Sequence, residues 1–246
     1  MPAVQALISE VRNGFVGNVK MVSIREHRFP FLIKVGDWNR FTRNTGGTLV
    51  EKTCHYFDLM NVITGARPTQ VFASGSQDVN HLDEVYDGET SDILDNAYVI
   101  VDYPGGERAM LDLCMFAEAT KDQEELSVVG DKGKLDARIP TSELHLGTRS
   151  GEGLADIGQV ETREIHNDEI RHEGLHHGAS FLEHIDFAAA VRAHGAAGGG
   201  PAGAAAVDAL GTLVSLEDGL WSVAIGEAAH RSIAENRPVL LDEILG

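Results

Sequence analysis

Hydrophobic and polar residues alternate through the middle of the chain, between residues 70 and 165. The clearest stretch places Ala109 and Leu111 on one side and Met110 and Asp112 on the other. A period of two is the pattern of a β-strand. Short glycine-containing turns separate several of these stretches, and such turns favour antiparallel hairpins. The predicted strands cover residues 70–76, 96–103, 108–117, 125–129, 134–139, 143–147 and 160–165.

Both ends of the chain instead repeat apolar residues every three or four positions, which is the period of an amphipathic helix. Residues 18–25 add a strand after the first helix, and residues 239–241 add a short edge strand after Pro238 has ended the last one. The predicted helices cover residues 3–12, a segment that begins after Gly47 and ends near Gly65, residues 180–192 and residues 204–235.

These elements predict an α+β fold, in which a large, mostly antiparallel open β-sheet carries helices packed on one face. The other face of such a sheet is left to solvent or to a partner subunit. Here that face is mixed and not wholly polar, since Met110 and Phe116 alternate with Asp112 and Cys114.

Composition and charge narrow the range of partners. The 246 residues carry a formal net charge of −18, which opposes binding to the phosphates of nucleic acid. No stretch approaches the ~20 apolar residues needed to cross a bilayer, and no signal-peptide pattern begins the chain. Cys54 and Cys114 give neither a disulfide framework nor a metal-ligand spacing. We therefore expect a cytoplasmic protein that binds neither nucleic acid nor a membrane.

Residues 46–59, with the sequence GGTLVEKTCHYFDL, carry the candidate chemistry. On a helix, the spacing of Glu51, His55 and Asp58 would place all three side chains on one face. Imidazole exchanges a proton near neutral pH, and a carboxylate one turn away can hold its tautomer and tune its basicity. Glu51 and His55 are thus a candidate proton-transfer unit. The alternative is an exposed helical pair that contributes only a few tenths of a kcal/mol to stability.

Residues 46–65 resemble the Gfo/Idh/MocA family of nicotinamide-dependent oxidoreductases, whose usual pattern is GGxxxDxxxHxxD. His55 stands where the family has its proton-transfer residue, and Asp58 matches the final acid. Glu51 replaces the more common aspartate with an arm one methylene longer. Further segments resemble the same family in the same order: residues 1–19, 128–135, 177–192 and 236–239.

The resemblance implies that residues 1–246 form one domain, the family's C-terminal substrate-binding and oligomerisation domain, with a dihydrodipicolinate-reductase-like fold. It also implies a homo-oligomer that associates through the open sheet face. No G-x-G-x-x-G follows a strand near the N-terminus, and the glycine-rich residues 195–203 follow a helix. We therefore expect the N-terminal dinucleotide-binding domain to be absent from this chain.

The family's catalytic lysine belongs to a Glu-Lys-Pro motif at the end of that cofactor domain. Lys52 follows Glu51, but no proline comes next, so we do not assign the lysine's role to Lys52. NAD or NADP would serve the full-length enzyme, and neither is expected to bind this chain. A separate chain that carries the cofactor domain is one way to complete the enzyme.

The implied reaction is hydride transfer between NAD(P) and a sugar, cyclitol or related polyol. His55 would take or give the hydroxyl proton, and Glu51 would orient His55. Alone, the chain is expected to be inactive. The alternative is a non-catalytic binding or regulatory module that retains the fold and the pocket.

Two further segments hold candidate substrate-binding residues. Trp38, Asn39 and Arg40 combine the ring, amide and cation that suit a polyol, although Trp38 is equally compatible with anchoring the loop to the core. His177 is a candidate hydrogen-bonding residue for a substrate hydroxyl, and its alternative is a solvated loop histidine.

A histidine-rich tract surrounds His177 and raises the question of a metal. His172 and His176 have the spacing of zinc ligands on one helix. Gly174 and Gly178 interrupt any helix there, so no metal site is expected.

Overall fold

The computed structural model describes residues 1–149 and 159–246. Its strands are β1 Val19–His27, β2 Gln70–Ser76, β3 Val85–Tyr86, β4 Glu89–Thr90, β5 Asn96–Asp102, β6 Arg108–Cys114, β7 Glu124–Gly130, β8 Gly133–Ile139, β9 Glu143–Thr148, β10 Val160–Glu164 and β11 Val239–Leu240. The helices are α1 Pro2–Arg12, α2 Thr42–Thr45, α3 Thr48–Glu51, α4 Cys54–Thr64, α5 Ala179–Ala196, α6 Gly200–Asp208, α7 Leu216–Glu235 and α8 Asp242–Leu245.

Nine strands form one open sheet in the order β10-β9-β8-β7-β1-β6-β5-β2-β11. The pairing of β1 with β6 is parallel, and the other pairs in this sheet are antiparallel. β3 and β4 form a separate hairpin. The predicted mostly antiparallel sheet is confirmed, because local alternation marks each strand before any pairing partner is known.

Helices α1, α4 and α7 cover one face of this sheet. The strand residues that point toward them are buried, whereas their neighbours on the other face stay partly or fully exposed. On β6, for example, Leu111 is buried and Met110 is exposed. The core between the layers includes Leu7, Phe57, Met60 and Ile225. The predicted helices on one face are therefore confirmed.

The single helix predicted after Gly47 is wrong, because the chain forms two helices there. α3 ends at Glu51 and α4 begins at Cys54. Between them Thr53 has φ −110° and ψ 0°, and its hydroxyl donates a hydrogen bond to the Leu49 carbonyl at 2.7 Å. Glu51 and His55 therefore lie on different helices. The predicted end near Gly65 is confirmed, with Gly65 at φ 67° as the cap.

The helix predicted over residues 204–235 is also divided, into α6 and α7. Gly211 has φ 60° between them, and Ser215 starts α7 with a reciprocal capping box to Asp218. The glycine-rich run joins α5 to α6, as the sequence indicates. Of the helices in the described ranges, none is both long and apolar enough to cross a membrane.

Candidate functional site

A cavity of about 760 Å³ opens where β1 ends and β7 begins. We call it the β1-end cavity. Its walls come from the segment after β1, from the junction of α3 and α4, and from the 3-10 helix Gly174–His176. The lining residues are Arg28, Phe29, Phe31, Leu32, Lys34, Glu51, Lys52, Gln123, Glu124, Gly174, Leu175, His176 and His177.

His55 lies in the first turn of α4 and is not itself among the residues that line the β1-end cavity. Surrounding protein, and then the charges of Lys52, Arg28 and His176, hold the pKa of His55 well below its ordinary 6.5. Solvent still reaches the side chain, since His55 is an exposed residue, and water screens these charges. The His55 ring also contacts the ring of the neighbouring Tyr56 in a tilted arrangement, with centroids 4.1 Å apart. The imidazole is therefore neutral at physiological pH and able to accept a proton.

Glu51 lies on the opposite side of the α3–α4 break, and its partner is Lys34. The Lys34 ammonium donates to the Glu51 carboxylate at 2.5 Å. Among the described hydrogen bonds, none joins Glu51 to His55. Both Glu51 and Lys34 line the β1-end cavity. The structure thus brings Glu51 to the site, whereas its predicted orienting role toward His55 stays a prediction.

Asp58 lies one turn beyond His55, on the side of α4 near α7. Partial burial, and then the nearby Asp218, raise the pKa of Asp58, and Arg67 opposes this shift. Asp58 is not among the residues that line the β1-end cavity. Its substrate-binding role stays a prediction.

Two glutamates occupy a pair of strand positions that face the helices at the cavity floor, and one of them, Glu124, lines the cavity. Glu26 of β1 and Glu124 of β7 are direct partners in the antiparallel register. Glu26 is 0% exposed and Glu124 is 8% exposed. Burial, and then the charge of Glu26, raise the pKa of Glu124 from 4.5 to about 7. Burial also raises the pKa of Tyr56, whose side chain faces both carboxyl groups.

Lys52 and Arg28 connect this buried acid pair to the cavity. The Lys52 ammonium lies 2.9 Å from Glu26 Oε1, and an Arg28 guanidinium nitrogen lies 3.5 Å from the same oxygen. Both cations line the cavity. None of these four residues is predicted as a site residue from the sequence, although one signal was available. Alternation calls for an apolar side chain at both positions, because Glu26 follows Ile24 by two residues and Glu124 precedes Leu126 by two.

The three candidate polyol-binding residues, Trp38, Asn39 and Arg40, differ in how exposed they are at the site. Trp38 is 39% exposed, and the Lys34 ammonium lies 4.8 Å from the centroid of its indole ring. Asn39 is fully buried, and its amide group donates to the Leu32 carbonyl at 3.0 Å. Because Leu32 lines the cavity, Asn39 shapes the wall from behind.

Arg40 is likewise buried, with 1% exposure. Its guanidinium donates to Glu84 at 2.9 Å, to the Tyr86 hydroxyl at 3.2 Å and to the Phe31 carbonyl at 3.2 Å. These partners lie in the segment around β3 and in the cavity wall. Arg40 Nη1 is buried without a hydrogen-bond partner among the described residues. The substrate-binding roles of Asn39 and Arg40 stay predictions, because both side chains are buried and held by internal partners.

His177 lies at the site, and its role toward a substrate hydroxyl stays a prediction. It is half-buried, has φ 49°, and lines the β1-end cavity together with two smaller neighbouring cavities. His176, next to it, contacts the Ser180 hydroxyl at 3.2 Å. Within residues 1–149 and 159–246, no three His, Cys, Asp or Glu side chains gather in the manner of metal ligands.

The glycine pair before α3 has a steric function. Gly46 and Gly47 have φ 78° and 82°. A Cβ atom on Gly47 would lie 2.6 Å from His230 Nε2. That nitrogen accepts a hydrogen bond from the Leu49 backbone N–H at 3.2 Å, and burial lowers the pKa of His230. The pair therefore lets the chain turn against α7 and start the segment that carries Glu51 and His55.

In the described residues, the glycine-rich run does not have the setting of a pyrophosphate-binding loop. The glycine-rich run joins two helices, whereas a pyrophosphate cradle requires such a run between a strand and a helix. What the described residues do offer is a neutral base beside a cavity with cationic and hydrogen-bonding walls. This arrangement can bind a polar small molecule and exchange a proton with one of its hydroxyl groups.

Comparison with known proteins places these features in a family context. The model for the C-terminal alpha/beta domain of the Gfo/Idh/MocA oxidoreductase family matches residues 8–241. A myo-inositol 2-dehydrogenase of Thermotoga maritima is 27% identical over 243 residues, which cover 96% of this chain and 60% of that protein. The chain therefore spans about 60% of the length of this curated relative.

Solved structures agree at the level of the fold. The crystal structure of a probable dehydrogenase from Thermotoga maritima is 25% identical, with a TM-score of 0.65 over 98% of this chain and 62% of that one. A levoglucosan dehydrogenase, solved with NADH and levoglucosan, is 17% identical, with a TM-score of 0.69 over 98% of this chain and 63% of that one.

Proposed function

The chain belongs to the Gfo/Idh/MocA oxidoreductase family through its C-terminal α/β domain, and we propose that it is the substrate domain of a polyol dehydrogenase. The reaction transfers hydride between NAD or NADP and a sugar, cyclitol or related polyol. The names of the curated relative and of the levoglucosan enzyme support this substrate class. Residues 1–246 act as one substrate-binding and oligomerisation domain in this proposal.

The neutral imidazole of His55 beside the β1-end cavity carries the proposal. Oxidation of an alcohol releases the hydroxyl proton, and a base within reach must accept it. The pKa of His55 is held low, so its imidazole is unprotonated at physiological pH, and the charges of three lining residues, Lys52, Arg28 and His176, act on it. His55 is the proposed proton acceptor, with Trp38, His177 and Glu51 placed around the same space.

The nicotinamide supplies the hydride acceptor, and its binding is assigned to protein outside these 246 residues. That protein is either the portion of the relatives that this chain does not span or a separate cofactor-domain chain. Alone, the 246 residues are proposed to be inactive.

Two binding measurements on the 246-residue chain test this proposal. Calorimetry with NAD(H) and NADP(H) should detect no binding. Micromolar affinity for either dinucleotide would contradict the proposal that the cofactor binds outside these 246 residues. A thermal-shift screen of neutral polyols, including myo-inositol, should identify a ligand that raises the Tm.

Three variants then locate the ligand. Trp38 lies beside the lining residue Lys34, and the charges of three lining residues act on His55, so Trp38→Ala and His55→Ala should each reduce the shift. His184→Ala, which removes an exposed histidine of α5, serves as the matched control and should keep it. If no polyol stabilised the wild type, the assignment of the pocket would fail.

The alternative is a binding or regulatory module that retains the pocket without catalysis. The same screen separates it when a cofactor domain is added in trans. Polyol-dependent reduction of NAD(P) that His55→Ala abolishes supports the enzyme, whereas ligand binding without turnover supports the module.

A further inference from the structure

The pairing of Glu26 with Glu124 is not what stability alone would select. The two carboxyl groups are direct cross-strand partners, and both are buried. Like charges opposite each other destabilise a sheet, and a buried charge requires a compensating partner. The cations that compensate them come from the cavity wall. The acid pair therefore fixes the positions of charged groups that a bound molecule would meet.

These charges do not cancel. Lys52 and Arg28 both approach one oxygen of Glu26, so two cations share one carboxylate. The remaining oxygen, Glu26 Oε2, is buried without a hydrogen-bond partner among the described residues. Glu124 holds its proton through much of the range below neutral pH, because it is buried beside Glu26. Below neutral pH the floor of the cavity thus carries about one positive charge in excess.

The other charged pair in the cavity is balanced. Lys34 and Glu51 contact each other at 2.5 Å, so neither adds to the excess. The whole chain, by contrast, carries a formal net charge of −18. A positive floor within an acidic protein favours anions locally and not over the whole surface.

Resting on the proposed function, we propose that the β1-end cavity takes a sugar acid, a polyhydroxylated monocarboxylate, with its carboxylate held between Arg28 and Lys52. A guanidinium offers paired donors to a carboxylate, and an ammonium adds a compact charge. The hydroxyl groups face His55 and His177. A volume of about 760 Å³ is large enough for a six-carbon acid.

The charge on Glu124 makes this affinity depend on pH. Ionisation of Glu124 adds a negative charge to the floor and weakens the attraction for an anion. The groups that face Glu124 are Glu26 of β1, Lys52 before α4, Tyr56 of α4 and the amino group of Met1 before α1. Sugar-acid binding should therefore be tighter at pH 6 than at pH 8.

The test compares ligands that differ only in the carboxylate. D-Glucuronate and D-glucose share the ring and differ at carbon six, and D-galacturonate and D-galactose form a second pair. Calorimetry on the 246-residue chain at pH 6 should give at least one uronate an affinity about tenfold above its neutral sugar, the gain expected for a charge-assisted contact.

Three variants assign the effect. Lys52→Met should bring the uronate's affinity down to that of the neutral sugar. Lys20→Met makes the same change in net charge at the exposed far end of β1, and it should keep the preference. Glu124→Gln removes the titration without removing bulk, so its uronate affinity at pH 8 should match the wild-type value at pH 6.

The outcomes separate this inference from the proposed function. Equal affinity for uronates and neutral sugars would overturn the sugar acid and leave the polyol enzyme standing. A preference that survives in Lys52→Met would overturn the assigned carboxylate site. If neither uronates, neutral sugars nor myo-inositol bound, the proposed function would fail and this inference with it.

Discussion

At the scale of the residue, the sequence shows what chemistry a side chain can perform more reliably than it shows what surrounds that side chain in the fold. The motif predicts a proton-transfer role for His55, and the charges of three residues that line the cavity act on its imidazole. Asn39 and Arg40 look equally suited to a ligand, yet both are enclosed. Arg40 is held by Glu84 and Tyr86, more than forty positions away, and no local pattern reveals such partners. Residue type predicts what a side chain can do, whereas the tertiary fold decides whether it is free to do it.

Glu124→Gln should remove one component of the pH dependence of stability. The folded pKa of Glu124 is raised from 4.5 to about 7, so its contribution is complete below pH 4.5 and is lost as pH rises through 7. A shift of this size corresponds to on the order of 3 kcal/mol. Urea unfolding should find wild type and Glu124→Gln similar at pH 5, and Glu124→Gln more stable at pH 8.

The neighbouring Glu125→Gln is the control for that comparison. Glu125 lies on the opposite face of β7 and pairs with Arg25 at 2.5 Å. It should retain the wild-type difference between pH 5 and pH 8. A Glu124→Gln protein with an unchanged pH profile would show that Glu124 is ionised in the folded state at pH 5.

At the scale of the element, strands were easier to predict than helix boundaries. The alternation of apolar and polar residues is a local property of each strand, so β2 begins and ends at the residues that the sequence pattern predicts. The break between α3 and α4 depends on one hydroxyl of Thr53 and on the packing of α7, which apolar spacing does not encode. The register that places Glu26 opposite Glu124 is non-local and was equally inaccessible.

Gly47→Ala should destabilise the protein through this element. Alanine would be strained at φ 82°, and its Cβ would collide with His230 Nε2. We expect a loss of about 3 kcal/mol in the free energy of unfolding. Gly65→Ala has a similar φ of 67° with nothing within 4 Å, and it should lose only about 1 kcal/mol. Equal losses in urea titrations would exclude a steric role for His230.

At the scale of the whole molecule, the helices in residues 1–149 and 159–246 cover one face of the sheet and leave the other face uncovered. Tyr98, Ile100 and Met110 are 60%, 43% and 36% exposed on that face. Ile100 and Met110 are cross-strand partners, so the apolar surface is continuous. Contact between such an apolar surface and water is unfavourable, and a second copy of the sheet would bury the surface.

The proposed homo-oligomer predicts a simple change of mass. Ile100→Asp should convert an oligomer into monomers, because a buried unpaired carboxylate opposes association. Val191→Asp places the same charge on exposed α5 and should leave the mass unchanged. Sedimentation velocity measures both. A monomeric wild type at micromolar concentration would contradict assembly through the open face.

The position of β1 in the sheet also constrains the order in which the molecule can form. β1 is the first strand in the chain, yet it lies in the interior of the sheet between β6 and β7. Its residue Val22 pairs with Ala109 on one side and with Val128 on the other. During synthesis the ribosome must therefore release more than eighty further residues before β1 gains its first neighbour, β6. Until then the future cavity floor at Glu26 remains in water, where its carboxylate is hydrated and has no need of Lys52 or Arg28.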